Sequence, residues 1–194
     1  MQTIVGFLSR SHGLNVLTAL GKLDKFKILK IYTHKFNPKS QDPSRGIRDD
    51  FELFVDKCEE LSIPLETIDS KDIPIENCPE CDYIVEVSWR YIIPSKIVRK
   101  SRIGTFGIHR GKLPEYGGGE PIKQAIKNNE KEIILSAHYL EPEIDSGDVI
   151  TTLKYDLPDN LPVDLEEKIQ LIRDNITPLF SKIALEVIEI FENK

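Results

Sequence analysis

A histidine and an aspartate in the second half of the chain have side chains that can move protons. His109 follows the apolar run of residues 103–108, and Asp145 opens a Ser-Gly turn between two further apolar segments. A histidine is a good general acid or base because its pKa lies near neutral pH. His109 is therefore a candidate general acid or base, with a structural, hydrogen-bonding histidine as the alternative interpretation. Asp145 is by itself weak evidence, because aspartate is common in turns.

Three consecutive glycines, Gly117, Gly118 and Gly119, lie between these two residues. Glycine permits a positive φ or a close approach of the backbone to a ligand. Glu120 and Pro121 then suit the first turn of a helix. The stretch is typical both of a ligand-facing loop and of a simple tight turn, and the sequence leaves both interpretations open.

The elements that must position these residues alternate between strand-type and helix-type patterns. Strand patterns occupy residues 3–8, 26–34, 64–69, 82–88, 103–109, 133–140 and 148–157. Helical patterns lie around residues 14–20, from Phe51 with Asp49 or Asp50 as its cap, at 94–100, at 120–129, and at 164–191 with an interruption around Pro178. Residues 35–48 are rich in Pro, Ser and Gly and predict a long polar loop.

Strands that alternate with helices predict an α/β fold, a mostly parallel twisted sheet with helices on both faces. In such sheets ligands bind outside the carboxyl ends of the strands, and His109 stands at such an end. The chain of 194 residues shows no repeat and no linker. We therefore expect one domain, residues 1–194.

Composition and charge limit the classes of partner. The net charge of −6 argues against broad nucleic-acid binding, which needs a basic face, so a small molecule is the expected partner. No apolar run approaches the ~18 residues of a membrane span. The N-terminal residues lack the features of a signal peptide, so we expect a soluble, cytoplasmic protein without a membrane partner.

Two of the three cysteines, Cys78 and Cys81, form a Cys-x-x-Cys motif. This motif occurs in redox pairs and in halves of zinc sites. A structural zinc site needs four ligands, and no fourth ligand stands at a convincing spacing. We expect reduced thiols and no metal.

Two segments carry a family resemblance. "GIHRGKLPEYGGGEPIKQAI" followed by "ILSAHYLEPEIDSGDVI" resembles the folate-dependent formyltransferases, which act on glycinamide ribonucleotide, methionyl-tRNA and amino sugars. The residues that match the family pattern are His109, Leu113, Pro114, Gly117, Asp145 and Gly147. The resemblance implies a Rossmann-like catalytic domain that transfers the formyl group of 10-formyltetrahydrofolate, as cosubstrate, to a primary amine. His109 and Asp145 would be its catalytic residues.

The resemblance also implies binding residues. The segment "WRYIIPSKIV" is similar to the family segment that binds the pterin, and the folate-binding residues would be Tyr91, Ile92, Ile93, Glu143 and Ile144. The segment "SRSHGLNVLTAL" resembles the family's first loop, which could hold a phosphate of the acceptor. The substrate-binding residues would be Ser11, Gly13, Asn15, Gly107, Arg110 and Gly118. His138 would support the Asp145 loop.

A small amine is the implied acceptor, similar to glycinamide ribonucleotide or to an amino sugar. Methionyl-tRNA is the least expected, because the enzymes that formylate it carry a further domain. A homodimer is compatible with the resemblance.

One position departs from the family pattern. The catalytic asparagine of the family would fall at Gly107, which has no side chain. Losing one donor to an oxyanion typically lowers turnover roughly 100- to 1000-fold. A backbone N–H, a water molecule, or the side chain of Ser11, Asn15 or Arg110 could replace it. The alternatives are a folate- or nucleotide-binding module without turnover, and a hydrolase that releases formate.

Overall fold

The structure is a computed structural model that describes residues 1–141 and 145–193. Strands and helices alternate along the described residues, as the sequence patterns predicted. The elements are β1 (Gln2–Leu8), α1 (Arg10–Gly21), β2 (Phe26–Thr33), α2 (Phe51–Glu60), β3 (Leu65–Thr67), β4 (Cys81–Val87), α3 (Ser95–Val98), β5 (Ser101–His109), α4 (Pro121–Lys127), β6 (Glu132–Tyr139), β7 (Val149–Asp156) and α5 (Leu165–Glu192).

The strands form one seven-stranded sheet in the order β3-β2-β1-β4-β5-β6-β7. β1 pairs in parallel with β2 and with β4, and β2 pairs in parallel with β3. β6 is antiparallel to both β5 and β7. Parallel neighbours need crossover connections, and the helices between the strands provide them. The predicted α/β fold with a mostly parallel sheet is confirmed.

The first of two compact units comprises Met1–Thr105. β1 and β4 are largely buried and mostly apolar, as central parallel strands are. α1 packs its buried residues Val16, Leu17 and Leu20 against them. A Cβ on Gly13 would lie 3.0 Å from the backbone of Leu8, so glycine at this position lets α1 begin close to the end of β1.

The second unit, Phe106–Lys194, contains the end of β5 and the antiparallel strands β6 and β7. α5 packs against β6 and β7 through a buried stripe of apolar residues. The ring of Phe191, near the end of α5, lies 6.1 Å from the ring of Phe106 on β5. The strand end that carries His109 is thus backed by an apolar core within its own unit.

The predicted interruption of the last helix around Pro178 is wrong, because α5 continues without a break from Leu165 to Glu192. Proline removes one backbone donor from a helix. The buried stripe runs on both sides of it through Ile176 and Phe180, so packing maintains the helix across this turn. The Thr177 hydroxyl donates to the Arg173 carbonyl oxygen (2.8 Å) in the same turn.

Asp50 occupies the N-cap position of α2, one of the two positions predicted for the cap, but its side chain makes no capping hydrogen bond. Its carboxylate lies 3.0 Å from Nε of Arg48.

No helix within residues 1–141 and 145–193 combines the length and the apolar character needed to cross a membrane.

Candidate active site

His109 is the last residue of β5, and its side chain is only 10% exposed. Its Nε2–H donates to the carbonyl oxygen of Tyr116 at 2.7 Å. Its other nitrogen, Nδ1, lies 3.3 Å from Oδ2 of Asp145. Because a carbonyl oxygen only accepts, Nε2 keeps its proton, and Nδ1 is the nitrogen that can gain or lose one.

Asp145 lies in the connection between β6 and β7, with a positive φ of 53°. The N–H of Gly118, itself at φ 78°, donates to Oδ2 of Asp145 at 2.9 Å. The central residue of the glycine run therefore adopts a positive φ and holds the carboxylate. A Cβ on Gly147 would lie 1.9 Å from the carbonyl oxygen of Tyr139, so only glycine lets this turn close against the end of β6.

His138 on β6 flanks the same carboxylate. Its Nδ1–H donates to the carbonyl oxygen of Tyr139 at 3.0 Å. Its Nε2 lies 3.6 Å from Oδ1 of Asp145, within ion-pair range but too far for a hydrogen bond. The side chain is 4% exposed. His109 thus lies next to one oxygen of the Asp145 carboxylate, and His138 lies next to the other.

Burial is the main influence on the pKa of His109 and lowers it below the usual range of histidine. The charges of His138 and Arg110 lower this pKa further, while the Asp145 carboxylate and the Tyr116 carbonyl raise it. The ring thus lies between influences that oppose one another. The arrangement can therefore carry out general acid and base chemistry.

Two predicted substrate-binding residues flank His109 in the sequence, Gly107 before it and Arg110 after it. Gly107 pairs directly with His138 across β5 and β6. Arg110 lines a surface cavity of about 100 Å³ together with Tyr116 and Glu130. The hydroxyl of Tyr116 donates to Glu130 (2.6 Å), which fixes the loop whose carbonyl holds His109.

The other predicted binding residues lie in the unit Met1–Thr105 or outside the described residues. On α1, Ser11 is exposed, Asn15 is half-buried and Gly13 is buried. Tyr91, Ile92 and Ile93 lie in the irregular segment between β4 and α3. Ile92 is 54% exposed, whereas Ile93 is buried. Glu143 and Ile144 lie outside the described residues.

The prediction from sequence missed Arg48, whose side chain is 1% exposed. One of its terminal nitrogens, Nη1, donates to the buried hydroxyl of Ser9, and the other, Nη2, has no hydrogen-bond partner within the described residues. Burial lowers its pKa to about 10, and the neighbouring charges of Arg10 and Arg90 add to this effect. An arginine in a polar loop gives no sequence signal of burial.

His34, which the sequence did not single out, is fully buried at the end of β2. Its Nδ1–H donates to the carbonyl oxygen of Ile68 (2.5 Å), and its Nε2 accepts the N–H of Arg90 (3.2 Å). Its ring stacks on that of Trp89 at 4.1 Å. Burial lowers its pKa to about 3, so His34 is a neutral structural residue.

The cysteines are buried free thiols, and burial raises the pKa of Cys81 to about 12. They are therefore not thiolates at neutral pH. No group of three or more His, Cys, Asp or Glu side chains in the described parts of the chain could hold a metal ion.

Comparison with known proteins gives matches in sequence and in structure. The formyl transferase family model matches residues 76–178. A methionyl-tRNA formyltransferase from Orientia tsutsugamushi is 32% identical over 144 residues, which are 72% of this chain and 45% of that protein. The chain thus spans about half the length of the curated relatives it matches.

Two solved structures share the fold. The phosphoribosylglycinamide formyltransferase from Anaplasma phagocytophilum has a TM-score of 0.74 at 17% identity, over 100% of this chain and 88% of that chain. A formyltetrahydrofolate deformylase from Pseudomonas syringae has a TM-score of 0.70 at 18% identity, over 97% of this chain and 62% of that chain.

Proposed function

Because this chain belongs to the formyl transferase family, we propose that it transfers the formyl group of 10-formyltetrahydrofolate to a primary amine of a small phosphorylated acceptor. The observation that carries the proposal is the distance of 3.3 Å between Nδ1 of His109 and Oδ2 of Asp145. Both residues lie within the matched range. The proposal treats residues 1–194 as one catalytic domain.

In this reaction the amine attacks the formyl carbon, and negative charge develops on the carbonyl oxygen. The carbonyl then re-forms, the bond from the formyl carbon to N10 of the folate breaks, and N10 takes up the proton that the amine gave up. His109 stabilises this charge by donating from protonated Nδ1, since Nε2–H is bound to Tyr116. Asp145 favours the protonated ring and accepts the proton of the attacking amine through a water molecule. The N–H of Gly118 keeps the carboxylate in place while its charge changes.

The segment from Tyr91 to Ile93 fits a folate. These residues lie outside helices and strands, so their peptide groups are not part of a sheet ladder. The exposed side chain of Ile92 offers an apolar surface to the flat pterin ring. We assign the binding of the cosubstrate to this segment.

The start of α1 and Arg48 suit the phosphate of an acceptor. Ser9 at the N-cap makes no capping bond, and no acidic residue occupies the first turn. The helix start therefore keeps its partial positive charge. The guanidinium of Arg48 contacts Ser9 and has one nitrogen, Nη2, without a partner among the described residues. Arginine and a helix N-terminus both favour phosphate.

The test is turnover with 10-formyltetrahydrofolate and a panel of small amines. We expect His109→Ala to lower kcat roughly 100- to 1000-fold and Asp145→Asn to lower it by a factor of about 100 or more. The matched control is Asp148→Asn, which changes an exposed carboxylate in the same connection and should retain the wild-type rate.

Undiminished transfer by His109→Ala contradicts the proposal. Two other outcomes would assign a different function to the chain. Release of formate without any amine identifies a hydrolase. Binding of folate without turnover on any amine identifies a binding module, the reading that the missing side chain at Gly107 favours.

A further inference from the structure

We propose that His138 is a second catalytic donor, whose Nε2 stabilises the developing oxyanion beside the position that Gly107 leaves open. The inference rests on the proposed formyl transfer and assigns the donor that this reaction still needs. Everything it uses lies within the unit Phe106–Lys194.

His109 supplies only one donor to the reaction. Its Nε2–H is bound to the carbonyl oxygen of Tyr116, which leaves Nδ1 as the nitrogen that can reach a substrate. Oxyanion sites typically combine two or more donors, and removing one lowers turnover strongly. A second buried donor close to Asp145 is therefore expected.

His138 has the required free nitrogen. Its ring is 4% exposed, and Nε2 has no hydrogen-bond partner among the described residues. Buried polar atoms are normally hydrogen-bonded, so an unpaired one is often part of a functional site. The bond from Nδ1–H to the Tyr139 carbonyl fixes the orientation of the ring. A proton on Nε2 makes this nitrogen a donor, and Oδ1 of Asp145 lies 3.6 Å from it.

The strand register places His138 directly opposite Gly107. Gly107 and His138 are direct partners in the antiparallel pair of β5 and β6. Side chains of direct partners share one face of the sheet, with Cβ atoms about 5 Å apart. His109, two residues after Gly107, points to the same face. Glycine at position 107 adds no side chain to this face, and we infer that a carbonyl oxygen bound there receives both donors.

The experiment combines His138→Ala with a donor restored at position 107. We expect His138→Ala to lower kcat roughly 100- to 1000-fold, with a KM for folate close to that of the wild type. Adding Gly107→Asn places an amide on the same face and should recover at least a tenth of the lost activity. Adding Gly107→Ala, the matched control without a donor, should recover none. A purely structural role of His138 predicts no rescue by either.

A binding measurement keeps this inference separate from the proposed function. Two folate analogues are titrated by calorimetry, one with an aldehyde that hydrates to a tetrahedral diol and one without it. The wild type should prefer the hydrated aldehyde. His138→Ala should lose this preference, and the double variant that adds Gly107→Asn to His138→Ala should regain it.

An unchanged preference or an unchanged kcat in His138→Ala overturns the role of His138 and leaves the proposed function standing. Failure of the wild type to bind either analogue overturns both.

Discussion

In both histidines of the site, a backbone carbonyl oxygen holds the ring nitrogen that does not face Asp145. Nε2–H of His109 and Nδ1–H of His138 each donate to a backbone carbonyl oxygen, which can only accept. The nitrogen that faces Asp145 is therefore the one that is not bound to a backbone carbonyl in each ring. At the scale of single residues, backbone carbonyls thus determine which atoms can do chemistry.

His34 shows the opposite use of a buried histidine and leads to a prediction about stability. Both of its nitrogens have partners that fit the neutral ring, and burial lowers its pKa from 6.5 to about 3. Between these values the unfolded chain binds a proton that the folded protein excludes. The free energy of unfolding should therefore fall as pH decreases from 6.5 toward 3, by as much as about 1.4 kcal/mol per pH unit.

The measurement is urea unfolding of the wild type and of His34→Gln between pH 4 and pH 6.5. Glutamine does not titrate, so the free energy of unfolding of His34→Gln should lack the pH dependence that His34 contributes. The carboxylates contribute equally to the pH dependence of both proteins. Parallel curves for the two proteins would show that His34 is not the buried neutral group described above.

At the scale of elements, the connection between β6 and β7 positions Asp145. The N–H of Tyr139 donates to the carbonyl oxygen of Asp148 (3.1 Å), which closes the connection at its base. Gly147 packs against the end of β6 in the same turn. The carboxylate therefore depends on a close backbone contact as well as on the bond from Gly118.

Gly147→Ala should disturb this turn. Its Cβ would overlap the carbonyl oxygen of Tyr139, so the backbone must move, at a cost of roughly 1–3 kcal/mol in the free energy of unfolding. Turnover should fall as well, because Asp145 moves with the turn. The control is Gly119→Ala, whose Cβ would have no heavy atom within 4 Å, and it should change stability by less than about 1 kcal/mol. Equal stability and kcat in the two variants would refute this role of Gly147.

At the scale of the whole molecule, the sequence relatives and the charge bear on the acceptor. The Orientia tsutsugamushi relative is a methionyl-tRNA formyltransferase, of which the chain covers 45%. Binding of tRNA needs a basic surface that releases counterions, and the net charge of this chain is −6. Arg10 and Arg90 lie near enough to Arg48 to lower its pKa, and we expect this group of arginines to bind one phosphate rather than a nucleic-acid backbone.

We therefore expect formylation of a small phosphorylated amine and none of methionylated tRNA. Arg48→Met should raise KM for the phosphorylated amine roughly 10- to 100-fold, the loss typical of a hydrogen bond to a charged group. KM for the same amine without its phosphate should not change. Arg48→Lys, which keeps the charge, and Arg102→Met, at a side chain that is 56% exposed, are the controls. Formylation of the tRNA, or an equal effect of Arg48→Met on both amines, contradicts this assignment.

The sequence by itself determined the fold class, the family and the position of His109 at the end of a strand. Periodicity along the chain is a local property, and the apolar runs with their intervening helices predicted the α/β sheet without any contact information. The position of His109 at the end of β5 and the Asp145 turn were read in the same way.

Only the tertiary structure decided how the side chains at those positions are used. Two arrangements join segments that are distant in sequence: the burial of Arg48 beside Ser9, and the pairing of Gly107 with His138. The helix through Pro178 likewise depends on a buried stripe that packs against other elements. Local patterns carry no information about such contacts, because burial and hydrogen bonding depend on which distant segments the fold brings together.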